Sequence, residues 1–115
     1  MKNAIKKQLR EMAKNHVATM GVLSVKNNTT GKQYIKGALN LEALVNKMNF
    51  LLKGQSFDNA QLQKEWDEYG SENFSFEFVS IISSQENQYI NYRKEILKAE
   101  QDVLSGINSD LLYIS

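Results

Sequence analysis

Phe74, Phe76 and Phe78 alternate with Ser75, Glu77 and Val79, and this period of two constrains the chain more than any other feature. Successive side chains of a strand point to opposite faces, so three aromatics at alternate positions predict a strand buried on one side only. Such a strand most easily completes the sheet begun by a hairpin. The 115 residues include no Cys, which excludes disulfides, zinc ribbons and thiol catalysis, agrees with a reducing compartment, and leaves packing as the source of stability. At this length one domain is expected, burying roughly 65% of the unfolded surface.

The remaining elements follow from periodicity and punctuation. Ala4, Ile5, Leu9, Met12 and Ala13 recur at helical spacing, so residues 1–18 are read as an N-terminal amphipathic helix with lysines outside. Gly21 to Lys26 is rich in β-formers, Asn27 to Gly31 in turn residues, and Gln33 to Ile35 resumes a β pattern, which makes a hairpin. Leu41, Leu44, Val45, Met48, Leu51 and Leu52 describe a helix with Asn40 as N-cap and Gly54 as stop. A shorter helix through Leu62, Trp66 and Tyr69 is expected to start at Asp58 and close at Gly70. Trp66 and Tyr69 are read as core aromatics on that stripe, in preference to base-stacking platforms. A long last helix is expected over Ser84 to Gly106, with Tyr89, Ile96, Val103 and Ile107 inward. Residues 108–115 form a short tail, apolar at Leu111, Leu112 and Tyr113.

The net charge of +1 gives no strong overall pull toward nucleic acid or membrane, but charge is unevenly placed. Lys2, Lys6, Lys7, Arg10 and Lys14 make the first segment basic, whereas Asp58, Glu65, Asp67, Glu68, Glu72 and Glu77 make a later one acidic. No apolar run of about 18 residues is present, and the first residues lack the apolar stretch of a secretion signal, so a cytoplasmic protein without membrane contact is expected. The single histidine, His16, falls at the end of the first helix, where a cation suits the helix dipole. Phosphate-binding glycine loops, catalytic triads and zinc spacings are missing. The lack of Pro and Cys and the many Asn and Lys residues fit an AT-rich bacterial or phage genome.

Three short runs give the chain a family likeness. Gly21-Val22-Leu23 is followed, after an Asn-rich turn and Gly31-Lys32, by Tyr34-Ile35-Lys36. Leu62-Gln63, Trp66, Tyr69-Gly70, Asn73-Phe74 and Phe76-Glu77 form the second run, and Ala99-Glu100-Gln101 the third. In this order and spacing they resemble the GIY-YIG endonucleases over about residues 20–104. The resemblance implies an α+β domain at residues 19–107, with a three-stranded antiparallel sheet flanked by helices and the extra N-terminal helix in front. It also implies an active site on the sheet face and on the helix after the hairpin.

Cutting a phosphodiester requires a base for water, cations for the phosphorus oxygens and usually a metal held by a carboxylate. By resemblance, the two motif tyrosines correspond to Leu23 and Tyr34, so one is absent. The glycine that ends the second motif corresponds to Lys36 without a gap, or to Gly37 after a shift of one residue. An arginine and a histidine of the helix correspond to Leu44 and Met48, which share one apolar face four residues apart. Losing one oxyanion-stabilising donor typically costs about 100-fold to 1000-fold in rate, so little cutting is expected. Glu100 is retained at the position of a magnesium ligand. It is expected to reach water at the edge of the stripe, to pair with Lys36, or to hold Mg²⁺; no cofactor is needed unless the domain cuts.

Three functions remain open on this reading. The first is a degenerate nuclease-like domain that still binds DNA or regulates, with Lys32, Lys36, Lys47, Lys53 and Arg93 meeting phosphates by charge. The second is a weak Mg-dependent endonuclease that uses Tyr34 and Glu100. The third is a module that contacts another protein or itself through the filled site, the basic first helix and the apolar tail.

Overall fold

The structure, a computed structural model, describes residues 18–83 and 90–113. The expected N-terminal helix with its lysines and His16 lies outside the described residues, as do Ser84 and Tyr89 of the expected last helix. Strands β1 (Met20–Asn27), β2 (Gln33–Ala38) and β3 (Phe74–Ile82) form one antiparallel sheet in the order β2-β1-β3. Helices α1 (Leu41–Lys53) and α2 (Ala60–Tyr69) lie between β2 and β3 in the chain, and α3 (Tyr92–Ser105) follows β3.

Register explains why the Phe alternation matters. Leu23 pairs with Phe78, Val25 with Phe76 and Asn27 with Phe74, so these side chains share one face. That face holds the main core, where Leu23, Val25, Leu41, Met48, Leu52 and Leu62 are at most 1% exposed and Trp66, Phe74 and Tyr113 join them. Trp66 stacks obliquely on Phe74 and edge-on to Phe76, with ring centroids 5.2 and 6.2 Å away. Each large apolar side chain so buried contributes roughly 1.5–3 kcal/mol. A register shift between Val22 and Leu23 then re-aims the end of β3, pairing Val22 with Ser80. Gly21 sits at this irregularity with φ +152°, and a Cβ there would run into the Ser80 carbonyl oxygen.

Helix α3 closes the opposite face of the sheet, on which Val22, Ser24 and Ile35 are buried along with Ile96 of the helix. The approach is close at Gly37, where a Cβ would come within 2.5 Å of the Ile96 Cγ2.

Both ends of α1 and the closing glycines of α2 and α3, Gly70 and Gly106, agree with the sequence, whereas the starts of α2 and α3 differ. The Asn40 side chain accepts from the Ala43 N–H at 3.0 Å, and the Gly54 N–H caps the other end of α1. For α2 the cap is Asn59, whose side chain accepts from the Leu62 N–H at 3.0 Å, and not Asp58. Both residues are good caps, and the rigid choice went to the one that is also buried. Gly70 closes α2 as expected, at φ +90°. Tyr69, expected in the core, is 37% exposed, because only Leu62 and Trp66 of that stripe face the sheet. The last helix begins at Tyr92 with Asn91 as its cap, not at Ser84. The tail packs back on the domain: Leu112 bridges in parallel to Gln33, the Tyr113 N–H donates to the Gln33 carbonyl at 2.9 Å, and the Tyr113 ring enters the core.

Candidate functional site

Strand β2 is an edge strand, and Tyr34 and Lys36 project from it on the α1 face, opposite Val25 and Leu23. Two hollows meet at these side chains. The first, of about 300 Å³, lies between β2, α1 and the loop to α2 and is lined by Tyr34, Lys36, Leu44, Lys47, Met48, Leu51, Ser56, Phe57 and Asp58. The second, of about 270 Å³, is shared by Tyr34, Lys36 and Asn59 with Glu100 and Leu104 of α3 and with Leu112 and Tyr113 of the tail. The edge strand therefore brings Tyr34, Lys36, Lys47 and Glu100 into one neighbourhood, although they lie far apart in sequence.

The walls of the first hollow are apolar where the resemblance implies donors. Leu23 is fully buried behind it, Met48 is 1% exposed, and Leu44 packs against the same core. None of the three side chains can donate a hydrogen bond. Tyr34 is half-buried, with its ring edge-on to Phe57 at a centroid distance of 5.4 Å. Burial raises its phenol above the ordinary tyrosine value, and the carboxylates of Asp58 and Glu100 push it further in the same direction. A phenol held protonated is a poorer base for water, which is the opposite of the tuning a general base needs.

Glu100 reaches the β2 edge close to Gly37, with its Oε2 3.5 Å from where a Cβ of that residue would stand. Among the described residues it makes no ion pair with Lys36; the salt bridge found there is Lys32 to Glu65 at 3.9 Å. No group of three or more His, Asp and Glu side chains that could hold a metal occurs among the described residues. A single carboxylate with waters binds Mg²⁺ weakly unless substrate phosphates help.

The five basic residues singled out in the sequence do not form one surface. Lys36 and Lys47 are exposed on the rim of the first hollow, and Lys53 is exposed in the last turn of α1. Arg93 is exposed in the first turn of α3 and lines neither hollow. Lys32 is drawn into the fold, pairing with Glu65 and lying 5.8 Å from the centre of the Tyr113 ring.

Asp58, Phe57 and Gln63 were not foreseen as site residues. Buried Gln63 fixes the loop that carries the other two: its side chain accepts from the Phe57 N–H at 3.1 Å and donates to the Leu52 carbonyl at 3.0 Å. The available signal was that Gln63 belongs to the second run of the family likeness. Asp58 was masked by its reading as a cap, a role Asn59 fills.

Compared by sequence, the chain matches no protein-family model and no curated relative. Compared by fold, it is similar to the catalytic domain of the intron endonuclease I-TevI, solved as a point mutant. The TM-score is 0.68 at 18% identity, over 84% of this chain and 92% of that one. A second structure, of the catalytic domain of homing endonuclease I-TevI, gives a TM-score of 0.65 at 19% identity, over 82% and 95% of the two chains. At such identity the likeness establishes the architecture, which is the GIY-YIG α+β arrangement that the sequence runs implied.

Proposed function

From a GIY-YIG catalytic-domain fold, we propose that this domain binds nucleic acid and has lost most of the capacity to cut it. One observation carries the reading: of the positions that would hold polar catalytic groups, Leu23 and Met48 are part of the apolar core and Leu44 packs against it. The raised phenol of Tyr34 points the same way. Binding is supported by Lys36 and Lys47, two exposed ammonium groups on a concave rim, and by the nuclease folds to which the chain is similar.

The test combines supercoiled plasmid and Mg²⁺ in a nicking assay with duplex affinity at about 50 and 200 mM salt. No nicking is expected. Two phosphate contacts predict roughly a tenfold loss of affinity between the two salt concentrations, and Lys36→Ala with Lys47→Ala should flatten that dependence. A second reading, residual Mg-dependent cleavage, draws on the hollow that Tyr34, Lys36 and Glu100 share. Nicking abolished by Glu100→Ala would establish it and overturn the first. Neither nicking nor binding would leave a protein-contact module as the better account.

A further inference from the structure

Phe50 is 78% exposed, the most exposed large apolar side chain among the described residues. It stands outside the buried stripe of α1, which runs through Leu41, Leu44, Val45, Met48 and Leu52. A lone exposed apolar residue is ordinary on a protein surface. The neighbours of Phe50 are what set it apart. Residues three apart on a helix are adjacent, so Phe50 lies between Lys47 and Lys53, both exposed and without a salt bridge among the described residues. Helix α1 carries one acidic residue, Glu42, and this is tied to Thr19 at the far end by hydrogen bonds of 2.9 and 2.5 Å. The outer face of α1 is therefore a cationic ridge with an aromatic at its centre.

We infer that this ridge binds single-stranded nucleic acid, with an unpaired base stacked on Phe50 and the flanking phosphates on Lys47 and Lys53. Lys47 also lines the hollow that holds Tyr34 and Lys36, so the strand runs from the hollow along α1. From Lys47 to Lys53 the helix rises about 9 Å, enough for one base between two phosphate contacts. Aromatic side chains in a basic track are how sequence-tolerant single-strand binding is built, since every base has a π-face. Asp58 on the hollow wall is the opposing charge, which favours passage of the backbone on the Lys36 and Lys47 side. The inference rests on the nucleic-acid reading above and adds the strand type and the residue that selects it.

The experiment is fluorescence anisotropy with a labelled oligothymidylate and with a labelled duplex, on the full chain and its variants. Phe50→Ala should weaken oligothymidylate binding roughly 5-fold to 150-fold, and Phe50→Leu should do the same, because neither retains a stacking face. The slope of log affinity against log salt should be unchanged in both, whereas Lys53→Ala should reduce it by about 0.7. Phe50→Trp should keep the affinity and show quenched indole fluorescence on binding, against a constant signal from Trp66, which is 6% exposed. Because Phe50 lies outside the core, all variants should fold, as far-UV circular dichroism would report.

Wild-type binding that Phe50→Ala or Phe50→Leu leaves unchanged overturns the stacking site while nucleic-acid binding stands. A wild-type chain that binds neither probe overturns both. Self-association that Phe50→Ala abolishes, without any change in oligothymidylate affinity, assigns the ridge to protein contact and overturns the inference.

Discussion

At the hairpin end of the sheet, Asn27 is fully buried and all its polar atoms are engaged; at the β2 edge, Lys36 and Lys47 stand exposed with no salt bridge among the described residues. The Asn27 Oδ1 accepts from the Asn73 side chain at 2.6 Å and from the Thr29 and Thr30 N–H groups at 2.9 and 3.3 Å, while its Nδ2 donates to Glu65 at 3.1 Å. Glu65 also accepts from the Tyr113 hydroxyl at 3.0 Å. A buried polar network of this kind adds stability only when complete, because each orphaned group costs about 1–3 kcal/mol. Completed, it locks the turn to β3, α2 and the tail. The hollow at the β2 edge is the reverse case: its apolar wall belongs to the core, and its cations are available to something outside the chain. The completed polar network and the exposed cations therefore sit at different ends of one small sheet.

The sharpest way to break this contrast is Asn27→Ala, which orphans three donors and part of the Glu65 carboxylate. A loss of roughly 4 kcal/mol is expected in urea unfolding, with failure to fold as the extreme. Met48→Ala comes next. It removes a buried side chain from the wall of the hollow and should cost about 3 kcal/mol, which would show that this position works as core.

Tyr113→Phe removes the hydroxyl that donates to Glu65 and should cost about 1 kcal/mol at pH 7. It also carries a pH signature. Burial pushes the Tyr113 phenol up to about 12, and its hydrogen bond and charge repulsion with Glu65 add to the rise against the opposing bonds of Asn27 and Thr30. A phenol raised above its unfolded value of 10 favours the fold fully below pH 10 and loses that contribution as pH climbs through 12. Alkaline unfolding between these values should be shallower in the variant.

Smallest of all, Lys36→Ala and Lys47→Ala should each change stability by less than about 0.5 kcal/mol while weakening nucleic-acid binding. Equal losses of stability at Lys36 and Asn27 would erase the distinction between the two ends.

Much of the architecture was legible before any coordinates. The Phe74, Phe76, Phe78 alternation, the Asn27 to Gly31 turn and the Asn40 to Gly54 helix are local patterns, and a period of two or 3.6 is visible without knowing what lies opposite. The first residues of α2 and α3 were harder. Asp58 and Asn59 are equally able to cap, and the choice depended on which of them was buried against the tail, where the Asn59 side chain donates to the Tyr113 carbonyl at 3.4 Å. The candidate site was legible as single residues. Leu44 and Met48 were visible as a continuous apolar stripe, and the family resemblance alone put Tyr34 and Glu100 in one site with Lys36 in reach of Glu100. That Lys47 adjoins them was not legible, because β2, α1 and α3 are joined by no local spacing rule. Lys32 shows the converse: as charge in sequence it is equivalent to Lys36, and only its salt bridge to Glu65 sets it apart.

What the sequence determined alone is therefore the set of strands and longer helices among the described residues, their order and the residue types at the motif positions, since periodicity and residue type are properties of the chain. Tertiary structure decided which polar groups were consumed by the fold and which were left free. Burial and partnership are relations between distant segments, and they arise only when the sheet register at Leu23, Val25 and Asn27 brings those segments together.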